Sequence, residues 1–163
     1  MTLTTHIIIA TAVAKPLAAY NPAFAFLAAL ASHYLSDTIP HWDYSLPVFE
    51  GEEEKEKIKF QFTKKSVMAN TILPAIDATI GALIAAAIIW PDSLEKLIYL
   101  AAIIIGGAMP DFLQGFYITG ARFLRPLQTF HDFIHTKIKL GPYPLVGIPF
   151  QIVIFLIALY FLF

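Results

Sequence analysis

The sequence predicts an all-α protein, a polytopic membrane bundle of about five membrane helices that forms a single domain over residues 1–163. Three observations predict this class. Of the 163 residues, 58% are hydrophobic and 14% are charged, and the mean hydropathy is +0.68, which is too apolar for a surface that faces water. Apolar segments follow one another along the chain without a Gly/Ser-rich or Pro-rich linker. Cysteine is absent, which excludes disulfides and thiolate metal sites.

The first forty residues predict two short helices. Residues 3–19 and 22–38 are each apolar, and a turn-forming segment at 20–22 separates them. We interpret the two as a tight helical hairpin, with a re-entrant or partly interfacial placement as the alternative because both are short for a span. A signal peptide is disfavoured, since no basic segment precedes the first helix and Lys15-Pro16 interrupts its apolar run.

Three later segments, residues 66–90, 93–118 and 143–163, are apolar over the roughly 20 residues that a bilayer-spanning helix needs. Ser93 is the predicted N-cap of the second of them. Two polar connections remain, at 39–65 and at 119–142. The first carries a run of mixed charge that is typical of a solvated loop.

Basic residues predict the orientation, because cytoplasmic loops are enriched in Lys and Arg. Of the 11 basic residues, all except Lys15 and Lys96 fall in the two polar connections, which share one side of a five-helix arrangement: Lys55, Lys57, Lys59, Lys64, Lys65, Arg122, Arg125, Lys137 and Lys139. The sequence therefore predicts a multi-pass protein of the cell membrane, with its N-terminus in the cytoplasm.

Histidines and carboxylates gather on the same predicted side, although the orientation rests on other residues. His33 and Asp37 are four positions apart, so one helical face presents both, and His131 and His135 repeat that spacing. Each pair is predicted to chelate one ion. The candidate metal ligands are His6, His33, Asp37, His41, Asp111, His131 and His135. Imidazole and carboxylate together suit Zn, Mn or Fe(II), and this number of ligands is enough for one or two ions.

Other polar residues have a structural interpretation. Asp77 lies about 16 Å into its predicted helix at 1.5 Å per residue, and Lys15 at a similar depth is its expected structural partner, since a lone charge inside a span costs roughly 2.5–3.5 kcal/mol. Asp132 is expected on the surface, because it points away from its histidine neighbours on a helix.

One segment resembles a known family. Residues 33–37, followed by Pro40 and His41 and preceded by an early His6, resemble the membrane-bound metal-dependent hydrolases of the bacterial inner membrane. More distantly, they resemble the zinc-dependent phospholipase C and single-strand nuclease superfamily, whose helices carry an HxxxD motif followed by a proline and another histidine. The resemblance implies an all-helical, multi-metal phosphoesterase site, with His33, Asp37 and His41 as ligands and His6 as the N-terminal ligand. Residues 109–111 resemble the Pro-Asp element of the membrane family.

These observations lead to the hypothesis of a metal-dependent hydrolase that acts on a phosphoester of a lipid headgroup or related amphiphile at the cytoplasmic face. Asp43 is the predicted proton acceptor. Arg122 and Arg125 are the predicted substrate-binding residues, with a contact to anionic membrane lipids as their simpler role. No nucleic-acid partner is expected. The alternatives are a metal or proton transporter that continues through Asp77 and Asp111, and a non-catalytic scaffold with a structural metal.

Overall fold

A computed structural model describes residues 1–17, 21–44 and 68–163. Within these ranges there are six α-helices and no strand, which confirms the all-α prediction. The helices are α1 (Leu3–Ala14), α2 (Pro22–Asp37), α3 (Leu73–Ile89), α4 (Leu94–Ile118), α5 (Arg125–Ile134) and α6 (Pro144–Tyr160). A turn of 3₁₀-helix, Lys15–Leu17, extends α1, and another, Arg122–Leu124, precedes α5. A turn of π-helix, Met68–Ile72, precedes α3. Most of the predicted 39–65 loop lies outside the described residues.

The first helix lies in the centre of the bundle. It packs against α2, α3, α4 and α6, and its buried residues occupy all sides of the helix: Leu3, Thr5, His6, Ile7, Ile8, Ala10, Thr11 and Ala14. A helix enclosed by neighbours must be apolar all round. This placement puts His6, which lies one turn from the start of α1, inside the protein.

Contacts along α1 fix the direction of its neighbours. The Leu3 N–H donates to the Asp77 carboxylate in the second turn of α3, and the Gln151 amide of α6 donates to Thr2. The starts of α1, α3 and α6 therefore lie at the same end of the bundle. Since the Tyr99 hydroxyl, early in α4, donates to the Ala14 carbonyl oxygen at the end of α1, and His6 stacks on His33, late in α2, α2 and α4 run the opposite way.

Glycines allow the helices around the site to approach closely. A Cβ built on Gly107 would lie 2.7 Å from the Ala10 Cβ, and one built on Gly106 would lie 2.6 Å from the Phe26 carbonyl oxygen. Only a residue without a side chain fits such contacts. These two glycines bring α1 and α2 against the same turn of α4.

Two helices, Asn70–Ile89 and Leu94–Ile118, are long and apolar enough to cross a membrane. Within the described ranges α1 and α6 are apolar but shorter, with 12 and 17 residues. The prediction of a five-span bundle is therefore not confirmed beyond its helical character. Within the predicted 119–142 connection, α5 is the helix that the spacing of His131 and His135 assumed, but it ends at Ile134.

Two predictions about single residues, a helix cap and an ion pair, can be compared with the structure. The Ser93 hydroxyl accepts a hydrogen bond from the Lys96 N–H, which confirms it as the N-cap of α4. The predicted pairing of Asp77 with Lys15 is wrong. The Asp77 carboxylate instead accepts hydrogen bonds from the N–H groups of Leu3 and Thr4, at 2.6 and 3.3 Å, and so caps α1, because the first N–H groups of a helix have no acceptor within it.

Lys15 lies at the other end of α1, where its ammonium group donates to the Leu162 carbonyl oxygen at 2.9 Å. The last carbonyl groups of a helix are acceptors without an intrahelical donor, so Lys15 ties the ends of α1 and α6 together. The prediction compared how far Asp77 and Lys15 lie along their predicted spans. It is wrong because Asp77 contacts the start of α1, whereas Lys15 follows its end.

Candidate metal centre

The Asp37 carboxylate is the centre of a buried polar cluster at the end of the bundle where α1 begins. Its Oδ1 lies 3.1 Å from the Nε2 of His6. Its Oδ2 lies 3.1 Å from the Nε2 of His33 and 2.9 Å from that of His131. Asp37 is 1% exposed, and these three histidines are buried. A carboxylate so far from water needs positive charge or hydrogen-bond donors around it.

Backbone carbonyl groups fix the orientation of two of the imidazoles. The Nδ1 of His33 lies 2.8 Å from the Gly107 carbonyl oxygen, and the Nδ1 of His41 lies 2.7 Å from that of Ile39. A carbonyl oxygen only accepts, so in both rings the Nδ1 carries the proton and donates it. In its neutral form each ring therefore presents an Nε2 lone pair to the cluster.

Ser36 fixes the orientation of His6 in the same way. The Ser36 hydroxyl donates to the His33 carbonyl oxygen at 2.9 Å and lies 3.0 Å from the Nδ1 of His6. Because a hydroxyl has a single proton, the His6 Nδ1–H is the donor in the second contact. The Nε2 of His6 thus also carries a lone pair.

Three Nε2 lone pairs therefore face carboxylate oxygens, which are acceptors as well. Among the described residues, the Nε2 atoms of His6, His33 and His41 and the Oδ1 of Asp37 are buried and have no hydrogen-bond partner. Acceptors that face one another repel unless a proton or a cation lies between them. Nitrogen and carboxylate oxygen together, with the second ring nitrogen bonded to an oxygen, are the usual surroundings of a divalent transition metal. The cluster fits such an ion.

Seven residues form three overlapping groups whose ligand atoms lie within 4.8 Å of one another. One group contains His6, His33 and Asp37; another contains His33, Asp111 and His131; the third contains Asp37, His41 and His135. All seven ligands predicted from the sequence are thus brought together. His131 and His135 fall in different groups, because α5 ends at Ile134 and His135 turns toward His41.

The outer edge of the cluster holds Asp43 and His135. Asp43 is 46% exposed, and its Oδ2 lies 3.1 Å from the Nε2 of His41. Burial raises the pKa of the Asp43 carboxyl, but the Met1 amino group at 2.6 Å and the His41 imidazole outweigh this effect and hold the pKa below its usual range. Burial lowers the pKa of His135, which favours the neutral ring that a metal requires.

The remaining predicted residues lie around the cluster. Asp111, which is 25% exposed, lies 3.6 Å from the Nε2 of His33. Arg122 stacks over the ring of Tyr117, and Arg125 begins α5, about 9 Å along that helix from His131 at 1.5 Å per residue. Asp132 is exposed, as predicted.

The groups that orient the ligands could not be predicted from the sequence. The carbonyl oxygens of Gly107 and Ile39 have no signature in the sequence, because any residue supplies one. Ser36 lies three residues after His33, where its hydroxyl reaches back along the helix, and a serine there resembles any other small residue. The backbone also closes the site: the Thr136 N–H donates to the Asp37 carbonyl oxygen at 2.8 Å, which ties the end of α5 to the end of α2.

Comparison of the chain with protein-family models, curated proteins and solved structures finds no match.

Proposed function

We propose that the protein is a membrane-embedded, metal-dependent hydrolase that acts on a phosphoester of a lipid headgroup or related amphiphile at the cytoplasmic face of the inner membrane. The observation that carries the proposal is the convergence of the His6, His33 and His41 lone pairs on carboxylates without an intervening hydrogen-bond donor. This arrangement supports a divalent ion, with Zn as first choice and Mn or Fe(II) as alternatives.

The two long apolar helices are largely not buried inside the protein, and this exposure supports the membrane location. In the most apolar 18 residues of Asn70–Ile89, 11% of the residues are buried inside the protein. In the corresponding part of Leu94–Ile118, 39% are buried. The core helix of a water-soluble protein of this length would be mostly buried. Neither helix lies near the start of the chain, where a signal sequence would be. Bilayer hydrocarbon is therefore the solvent that fits their exposed side chains.

A divalent ion in the cluster would lower the pKa of a bound water toward neutrality and offset charge on phosphoryl oxygens. The protein side chains would do the rest. Asp37, which faces the Nε2 atoms of three imidazoles, would bind the ion together with them. Asp43, the more exposed of the two carboxylates at the cluster edge, accepts a proton from the attacking water, while Asp111 is the competing candidate because a carboxylate with a low pKa is a weak base.

Arg122 and Arg125 would bind the anionic headgroup. Both lie at the start of the α5 region, and α5 also carries His131 of the cluster. A guanidinium group is suited to a phosphate, which it binds through two parallel N–H donors.

The test is turnover of an amphiphilic phosphoester by the purified protein in nanodiscs, with chelator-treated, Zn-loaded and Mn-loaded samples side by side. We expect turnover that requires metal, survives Asp132→Asn and is lost in Asp37→Asn. Metal binding without turnover of any phosphoester would contradict the hydrolase and favour the scaffold. Failure to bind either metal would overturn the whole proposal.

The capping role of Asp77 bears on the transporter alternative. A transport path through the membrane needs ionisable groups that continue from the cluster. Both Asp77 carboxylate oxygens are engaged by the backbone at the start of α1, at the same end of the bundle as the cluster. Asp77 therefore does not extend the cluster toward the other face, and the hydrolase is the better-supported function.

A further inference from the structure

An apolar groove lies next to the candidate metal centre, between α1, α6 and the residue that follows His41. It has a volume of about 180 Å³. Its lining residues, which we call the Trp42 groove, are Thr5, Trp42, Ile148, Gln151, Ile152 and Phe155. Thr5 and Trp42 directly adjoin His6 and His41 in the chain, so the groove begins one residue away from two histidines of the cluster. Ile152 and Phe155 lie further along α6 and form an apolar wall of the groove.

Gln151 is the polar exception in this groove. It is 7% exposed, and its Nε2 donates to the Thr2 hydroxyl at 2.9 Å. Its Oε1 is buried and has no hydrogen-bond partner among the described residues. An unpaired amide oxygen in apolar surroundings costs free energy. A bound molecule that brings a hydroxyl or N–H group to this point would remove that cost.

We infer that the Trp42 groove binds the chain of a single-chain amphiphile that carries a hydroxyl group next to its headgroup, such as a monoacyl phospholipid. The apolar walls hold the chain along α6, and the free hydroxyl donates to the Oε1 of Gln151. The headgroup then lies toward His6 and His41. This inference rests on the proposed function for the fate of the headgroup, but binding of the chain is independent of hydrolysis.

The experiment uses Trp42 as its own reporter. The chain has two tryptophans, and Trp90 is 72% exposed at the end of α3, so Trp90→Phe leaves Trp42 as the single emitter. The variant, chelator-treated and in nanodiscs, is titrated with a monoacyl phospholipid whose chain is brominated, because bromine quenches an indole that it touches. We expect saturable quenching.

A matched pair of substitutions distinguishes the groove from the surrounding lipid. Ile152 and Val153 are adjacent on α6 and equally exposed, at 51% and 52%, but Ile152 lines the groove and Val153 does not. Ile152→Phe should fill the groove and raise the half-saturating probe concentration at least tenfold, whereas Val153→Phe should leave that concentration unchanged. Thermal melts of both variants verify that they fold.

The Gln151 hydrogen bond has its own control. The same probe with its hydroxyl methylated lacks the donor and should bind about tenfold more weakly, the equivalent of one neutral hydrogen bond. In Gln151→Leu this preference should disappear. Equal affinity for the two probes in the unsubstituted groove would contradict the assignment of Gln151.

Two outcomes would overturn the inference as a whole. Quenching that rises in proportion to the probe without saturation, equally in Ile152→Phe and Val153→Phe, would show that Trp42 meets bulk lipid. No quenching in any variant would show that the groove is closed to lipid, for instance by residues 45–67 of the chain itself. Saturable binding in a protein that hydrolyses nothing would leave the groove assigned and reject the hydrolase alone.

Discussion

The Nδ1 of His33 and the carbonyl oxygen of Gly107 are 2.8 Å apart, so a side chain of α2 is hydrogen-bonded to the backbone of α4. This hydrogen bond turns the Nε2 of His33 toward Asp37. A helix backbone thus orients a candidate ligand, and the orientation depends on how closely the helices pack. The first prediction tests the packing of α4 against α1, the helix that carries His6.

Gly107→Ala should destabilise the protein and weaken metal binding. Its new Cβ would lie 2.7 Å from the Ala10 Cβ, so α1 must move away from α4, at a cost of about 1–3 kcal/mol. Gly115→Ala in the same helix is the control, because a Cβ there has nothing within 4 Å and should stabilise by about 0.5–1 kcal/mol. Thermal unfolding in detergent measures the stability of both variants, and competition against a chromogenic chelator measures their metal affinity. Equal melting shifts would contradict the packing argument.

Ser36→Ala should lower metal affinity without changing the number of ions bound. The substitution removes the oxygen that accepts the His6 Nδ1–H, and loss of a group that orients a ligand costs about 10–100-fold in affinity. Ser32→Ala is the matched control: both serines are 4% exposed, but the Ser32 hydroxyl bonds the Ala29 carbonyl. Competition against a chromogenic chelator gives the two affinities, and a Ser32→Ala loss as large as that of Ser36→Ala would sink the prediction.

His33→Ala/Asp37→Ala should abolish metal binding. Elemental mass spectrometry of the purified protein should find one or two equivalents of metal, absent from this variant but retained by Asp132→Ala, whose carboxylate is exposed. Each bound histidine must be neutral, so protons compete with the ion and affinity should fall as the pH is lowered. Affinity that rises with acidity would contradict histidine ligation.

Asp77→Ala should destabilise the protein by about 1–3 kcal/mol, because the Leu3 and Thr4 N–H groups lose their acceptor. Lys15→Met should have a separate, smaller effect through Leu162. Since the two residues lie at opposite ends of α1, their effects should add to within about 0.5 kcal/mol in a double-mutant cycle. A larger coupling energy would restore the ion pair predicted from the sequence.

The sequence predicted the helical class and the membership of the cluster better than its internal geometry. His33 and Asp37 share a group because a spacing of four residues places them on one helical face. The same spacing does not place His131 and His135 in one group, since α5 ends between them and only tertiary structure determines where it ends. Pairing of Asp77 and Lys15 by depth failed because α1 starts beside the second turn of α3, a register that no periodicity encodes.

Cysteine labelling should reveal which parts of the chain cross the membrane. The natural sequence has no cysteine, so a single introduced thiol is the sole target of a maleimide. Asp92→Cys lies in the turn between α3 and α4, and Asp132→Cys lies on α5, beyond the other end of α4; both positions are exposed. If the long helices span the bilayer with the basic connections inside, an impermeant maleimide added to intact cells should label Asp92→Cys and leave Asp132→Cys unlabelled until the membrane is opened. Labelling of both from outside would show that α4 does not span, whereas the reverse pattern would keep the spans but place the metal centre on the outer face.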